Sequence, residues 1–335
     1  MSQEQHSHSG RKSVLLVHGR DFKPDNEALF DISVDAMRYG IQRDYPDCLA
    51  AFDAIEMGMS YYGDLTNALL TAQGKKYDEN LDIGDRRNAL RTLKEIPARK
   101  RFGIRQYDQL PGKSAIPEAI ADTVYPVLGL CGLSMPIIGR LSRDFGEYLR
   151  GTSSYADDVR ARLRDRLSEL FDRGDHVMLI SHGTGSAVAW DVLWQLSHDA
   201  QLRERHCEHK LDAWVSMGAP LGDRHVRNRL AGAREKSAAR FPTNVIAWYN
   251  IAAEDDYTCH DKTLADDFKK MMKERVVSAV QDYRVFNHAV RYGRSNPHSS
   301  IGYYIHPRLA KIIADWIGPP PTPAIKAEQS ISDTS

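Results

Sequence analysis

The sequence predicts an α/β domain whose mostly parallel central sheet is covered by helices on both sides. Three observations carry this. Short β-branched apolar runs recur along the chain, most of them ended by a glycine or an acidic turn. Between them lie stretches with apolar residues at helical spacing. The two patterns alternate, as expected of parallel strands joined by crossover helices.

Residues 13–19 (SVLLVHG) read as a strand buried on both faces. Residues 28–46 have helical spacing and stop at Pro46. A second, weaker strand pattern falls within 49–64. From 65 to 143 the alternation breaks down, and the stretch reads as a largely helical cap inserted into the domain. Within it, 81–108 is charged and helical, whereas 124–141 (VYPVLGLCGLSMPIIGRL) carries no acid and a single base, Arg140. Its Pro126, Pro136 and glycines argue against a smooth membrane-spanning helix. That leaves a buried cap segment, or an apolar lid that admits acyl or lipid-like substrates and touches a membrane surface transiently.

Residues 152–175 form an amphipathic helix pattern with Val159, Leu163, Leu167 and Leu170 on one face and Ser153 or Ser154 as cap. Next come a strand at 176–180, a small-residue helix at 185–199 and a strand at 211–222 that ends in a Gly and Pro turn. Further strands follow at 244–256 and 282–290, then a closing helix at 309–317. The core is therefore expected at 13–64 and 144–318, between a polar tail at 1–12 and a Pro-rich, then polar, tail at 319–335.

Composition narrows the function. The 45 Lys and Arg balance the 45 Asp and Glu, which gives no support for nucleic acid as a partner. Cys48, Cys131, Cys207 and Cys259 are far apart and form no CxxC pair, as expected of reduced thiols in a cytoplasm. The N-terminal segment lacks an apolar signal core, and its His6 and His8 read as part of a solvated tail. No HExxH pair or similar ligand set calls for a metal or cofactor. The turn HGTGS lacks the lysine of a P-loop and the G-x-G-x-x-G spacing, which argues against nucleotide binding.

Functional groups gather at the carboxyl ends of strands in such a sheet. Three segments fall there: Val17-His18-Gly19-Arg20, Ser181-His182-Gly183-Thr184-Gly185, and the pair Asp255 and Asp256 followed by Asp261. A fourth, NPHSSIGYYIHP (296–307), follows the last strand and puts His298 before small residues, an aromatic pair and the closing helix. In these segments and their order the chain resembles the α/β-hydrolase superfamily, with its serine esterases and lipases.

The resemblance implies a fold and a site. Ser181–Gly185 occupies the place of the G-x-S-x-G elbow, with Gly183 where the nucleophile would stand. Ser181 and Ser186 lack the flanking small residues of an elbow serine. The main-chain N–H groups of Gly19 and Thr184 would form the oxyanion hole. Asp256 would be the acid, with Asp255 as runner-up, and His298 the base, with His288 and His306 as competitors. His18, Arg20 and His182 would position a water or substrate. Three accounts follow: a serine hydrolase lineage that lost one side chain, a hydrolase that uses a His298-activated water, or a binding protein for an apolar ligand or a protein partner on a hydrolase scaffold.

Overall fold

The computed structural model describes residues 10–96, 102–111, 143–151, 153–259 and 263–318. The segment 124–141, Asp261, Cys131, His6 and His8 lie outside the described residues.

Six strands, β1 (Lys12–Val17), β2 (Glu56–Ser60), β3 (His176–His182), β4 (Leu211–Met217), β5 (Val245–Ala253) and β6 (Ala279–Val285), form one sheet in the order β2-β1-β3-β4-β5-β6. Every neighbouring pair is parallel. The expected α/β architecture is therefore present. The last strand begins earlier than 282, and a two-stranded hairpin, Val290–Arg291 with Arg294–Ser295, follows it.

The principal helices are α1 (Asn26–Asp44), α2 (Gly63–Ala72), α3 (Glu79–Glu95), α4 (Arg143–Arg150), α5 (Tyr155–Asp172), α6 (Gly185–His198) and α7 (Pro307–Ile317). Side chains alternate across the sheet, as a period of two requires. Val14 and Leu16 of β1, with Met178 and Ile180 of β3, meet Ile32 and Met37 of α1, Leu90 and Leu93 of α3 and Ile313 of α7. Leu15 and Val17, with Val177 and Leu179, meet Leu163, Leu167 and Leu170 of α5 and Val188 and Val192 of α6 on the other face. The apolar stripe of 152–175 thus faces the sheet. The described part of 65–143 is helical, and α3 contributes to the layer that covers the sheet.

One local expectation fails. Ser154 stands at the N-cap of α5 but has helical torsions and makes no capping hydrogen bond, while Ser153 Oγ donates to Glu147 Oε1 at 2.8 Å. The nearby glutamate of α4 outcompetes the helix end for the Ser153 hydroxyl.

The strand order sets the site. After β2 the chain crosses back over β1 to place β3 on its other side. At such a reversal the loops leaving two adjacent strands diverge and open a crevice at the carboxyl edge. The two strands are β1, which leads to His18 and Gly19, and β3, which leads to His182 and Gly183. No helix among the described residues is long and apolar enough to cross a membrane.

Candidate functional site

The corner after β3 is built on two glycines. Gly183 has φ +55°, a left-handed conformation that costs a residue with a Cβ about 1–2 kcal/mol. Its N–H donates to Met217 O at 2.8 Å, and its carbonyl accepts Ser186 N at 3.0 Å. A Cβ at Gly185 would lie 2.3 Å from His18 O and 3.0 Å from Val17 O, so the start of α6 is pressed directly against the end of β1. Ser181 and Ser186 are buried and bonded to each other (Oγ to Oγ, 2.9 Å), and Trp214 Nε1 donates to Ser181 at 2.9 Å.

Asp256 and His298 come together over this corner. His298 Nδ1 donates to Asp256 Oδ2 at 2.9 Å. The same oxygen accepts the Tyr303 hydroxyl at 2.8 Å, and Oδ1 accepts Thr258 N at 3.0 Å. Burial alone would raise the Asp256 pKa. The charge and hydrogen bond of His298, with the Tyr303 hydroxyl and Thr258 N–H, overcome it and hold the carboxyl down at about 2. Asp256 is thus a carboxylate at neutral pH.

With Nδ1 committed to Asp256, Nε2 is the basic nitrogen of His298. It is buried and has no hydrogen-bond partner among the described residues. It lies 3.0 Å from the point that a Cβ on Gly183 would occupy, with Cε1 at 3.1 Å. The imidazole therefore leans over the one backbone position from which the elbow side chain would project.

The other candidates are placed differently. Asp255, at φ +59°, forms the bend before Asp256. His288 accepts Phe102 N at 2.9 Å and donates to Gly103 O at 3.1 Å. His306 caps α7 by accepting Arg308 N at 3.0 Å.

His182 Nε2 donates to His298 O at 2.9 Å, with the two rings 4.6 Å apart, so it holds the loop that carries His298. Burial, then the charge of His298, keeps its pKa well below the ordinary value. His18 donates from Nδ1 to Gly19 O at 2.9 Å and accepts Tyr62 N on Nε2 at 3.0 Å. Burial, then the charge of Lys23, lowers its pKa to about 3. Both of its nitrogens are thereby committed to shaping the β1 loop, and neither is left to hold a water. The N–H groups of Gly19 and Thr184 are taken up by no backbone or side-chain acceptor among the described residues. Arg20 donates to Thr258 Oγ1 at 3.4 Å, linking the β1 loop to the turn that carries Asp256.

Three contributors carry no motif. Tyr303 bridges Asp256 and Ala253 N, accepting the latter at 2.9 Å. Its only mark in the sequence is the aromatic pair after His298. Gly218, which ends β4, has φ +57°, and a Cβ there would stand 2.8 Å from Asp256 Oδ2 and 3.2 Å from His298 Nδ1. Tyr62 fixes His18 through its backbone N–H and donates its hydroxyl to His18 O.

A cavity of about 520 Å³ reaches His18, Gly19, His182 and His298. Among the described residues, no group of three or more His, Cys, Asp or Glu is placed to hold a metal ion. No family model, curated protein or solved structure matches this chain. Fold and site by themselves define an α/β protein in which a His–Asp pair lies over a strand–turn–helix corner without a side chain.

Proposed function

We propose that the chain carries an ester- or acyl-hydrolase-type site of the α/β-hydrolase kind whose covalent nucleophile is absent. One observation carries the reading: His298 Nε2, polarised by Asp256 through Nδ1, lies 3.0 Å from the Cβ position of Gly183. A base in that place serves an elbow hydroxyl or whatever takes its place. The unengaged N–H groups of Gly19 and Thr184 support an oxyanion hole, because main-chain donors outlast the loss of a side chain.

Without a hydroxyl, no acyl-enzyme forms at Gly183. Removing a triad nucleophile costs on the order of a million-fold in turnover, while the oxyanion hole and binding retain roughly a thousand-fold over water. The unpartnered Nε2 favours a second, non-covalent route. In it His298 takes a proton from water as the oxygen adds to the ester carbonyl. The imidazolium then returns the proton to the leaving alkoxide as the acyl–oxygen bond breaks, giving a carboxylic acid and an alcohol. The preference for apolar acyl chains rests on 124–141, outside the described residues.

The test is chemical complementation. Gly183→Ser places a Cβ at φ +55° and 3.0 Å from Nε2, so His298 must give by a few tenths of an ångström. The folded variant is expected to be labelled by a serine-directed phosphonate, and to lose labelling when His298→Ala is added. A folded Gly183→Ser protein that stays unlabelled sinks the reading. Ester hydrolysis by the unsubstituted chain that disappears with His298→Ala would favour the water route. Ligand binding without turnover would favour a binding protein.

A further inference from the structure

The cavity beside His298 has an unbalanced wall. Six cationic side chains line it, Arg20, Lys23, Lys75, Lys76, Arg86 and Arg291, against two acids, Asp21 and Asp82. Asp82 is already spent. It accepts Arg86 Nε at 2.9 Å and Arg291 Nη2 at 2.6 Å, together with the hydroxyls of Tyr77 and Tyr292. Arg291 is further paired with Asp85, outside the cavity wall. Asp21 is half-exposed and stands 3.7 Å from Arg20 Nε, a nitrogen that is buried and makes no hydrogen bond among the described residues.

The remaining positive charge is only partly met: of the carboxylates near Lys23, Asp21 is half-exposed, Asp82 is already paired, and the buried Asp144 accepts Asp21 N. Lys23 is only 7% exposed, yet its ammonium donates to the carbonyls of Arg20, Asp21 and Phe22 and to no acid. Burial, then the nearby charge of Arg86, lowers its pKa to about 8, which leaves it charged at neutral pH. Lys75 and Lys76 have no ion-pair partner among the described residues. A buried cation bonded only to carbonyls is costly, and a partly enclosed wall with an excess of one sign concentrates its field on the cavity. An incoming anion relieves that cost, and Arg86 offers it the planar donor geometry suited to a compact oxyanion.

We propose that this cavity takes a substrate bearing a phosphate or carboxylate group, held by Arg20, Lys75, Lys76 and Arg86 in the field of Lys23, with its ester directed to His298. That the bound molecule is a substrate rests on the hydrolase reading above. The anion site itself does not.

The experiment is calorimetric titration of the full chain at low salt with inorganic phosphate and, in a parallel arm, with succinate. Saturable binding of at least one is expected, with a dissociation constant on the order of 1 mM. Whichever binds more tightly identifies the anionic group. The double variant Lys75→Gln/Lys76→Gln alters only side chains without ion pairs, and is expected to weaken binding roughly fivefold. Arg86→Gln should weaken it further. Lys270→Gln, exposed and outside the cavity, should change nothing. Absence of saturable binding up to about 20 mM, or binding that neither cavity variant alters, overturns the proposal. His298→Ala should leave anion binding intact. Lost anion binding with normal labelling of Gly183→Ser would therefore strike this inference alone. Retained binding without labelling would strike the hydrolase reading alone.

Discussion

Asp256 decides which nitrogen of His298 carries a proton. Its carboxylate takes Nδ1–H at 2.9 Å and leaves Nε2 as the acceptor nitrogen beside Gly183. An amide at 256 keeps the shape but favours the other tautomer, because its NH₂ would donate to Nδ1. In a Gly183→Ser background, Asp256→Asn should therefore slow phosphonate labelling by about 10⁴-fold while far-UV circular dichroism stays unchanged. Labelling at an undiminished rate would mean that the carboxylate does not orient the base. That Gly183, Asp256 and His298 would meet was readable, because each closes a strand or opens a loop recognisable by its local pattern. Gly218 and Tyr303 were not. The first matters because a Cβ at the end of β4 would strike Asp256 Oδ2, and the second because its hydroxyl reaches back to β5. Neither fact has a local signature.

Elements were legible where burial imposes a period. β1 and β3 are apolar on both faces because helices cover both, and α5 shows a stripe because only one of its faces meets the sheet. The short hairpin at 290–295 was missed, having too few residues to show alternation. The contact between α6 and β1 is the element-scale feature most exposed to test. Gly185→Ala would put a methyl group 2.3 Å from the carbonyl oxygen of His18, against backbone that cannot rotate away. The helix must lift off the strand, at an expected cost of about 3 kcal/mol or more. Gly84→Ala makes the matched control. Gly84 is an exposed position in α3 where a Cβ meets nothing within 4 Å, so alanine should stabilise by about 1 kcal/mol through helix propensity. Urea midpoints that move in opposite directions for the two substitutions are expected. A neutral Gly185→Ala would contradict the close approach on which the corner depends.

At the scale of the whole molecule, acid should weaken the fold before it protonates Asp256. Burial, then the charge of Lys23, depresses the pKa of His18 to about 3. Burial, then Arg43, does the same to His306, again to about 3, and His182 is held well below its ordinary value by burial and then His298. Their unfolded counterparts titrate near the ordinary histidine value of 6.5. As pH falls below that value the unfolded chain takes up protons that the native chain refuses, so native stability declines. The loss continues until the folded values are reached, at about 1.4 kcal/mol per pH unit for each group. Asp256 works in another window. Its stabilising contribution is complete above the unfolded value of 3.8 and is lost only as pH falls through about 2. Urea midpoints followed by circular dichroism should therefore drop steadily from pH 7 to pH 5, in the range where Asp256 is silent. His306→Asn keeps an acceptor for Arg308 N at the start of α7 and removes one titrating group, so it should flatten that drop by about one proton's worth. A midpoint constant across the interval would mean that these rings are protonated in the native state. His18 follows β1 and His182 ends β3, the two strands that flank the sheet's reversal, so the acid-sensitive part of the fold is the ground on which the His298–Asp256 pair stands. Loss of any activity on mild acidification that follows the unfolding profile would then report loosening of that ground.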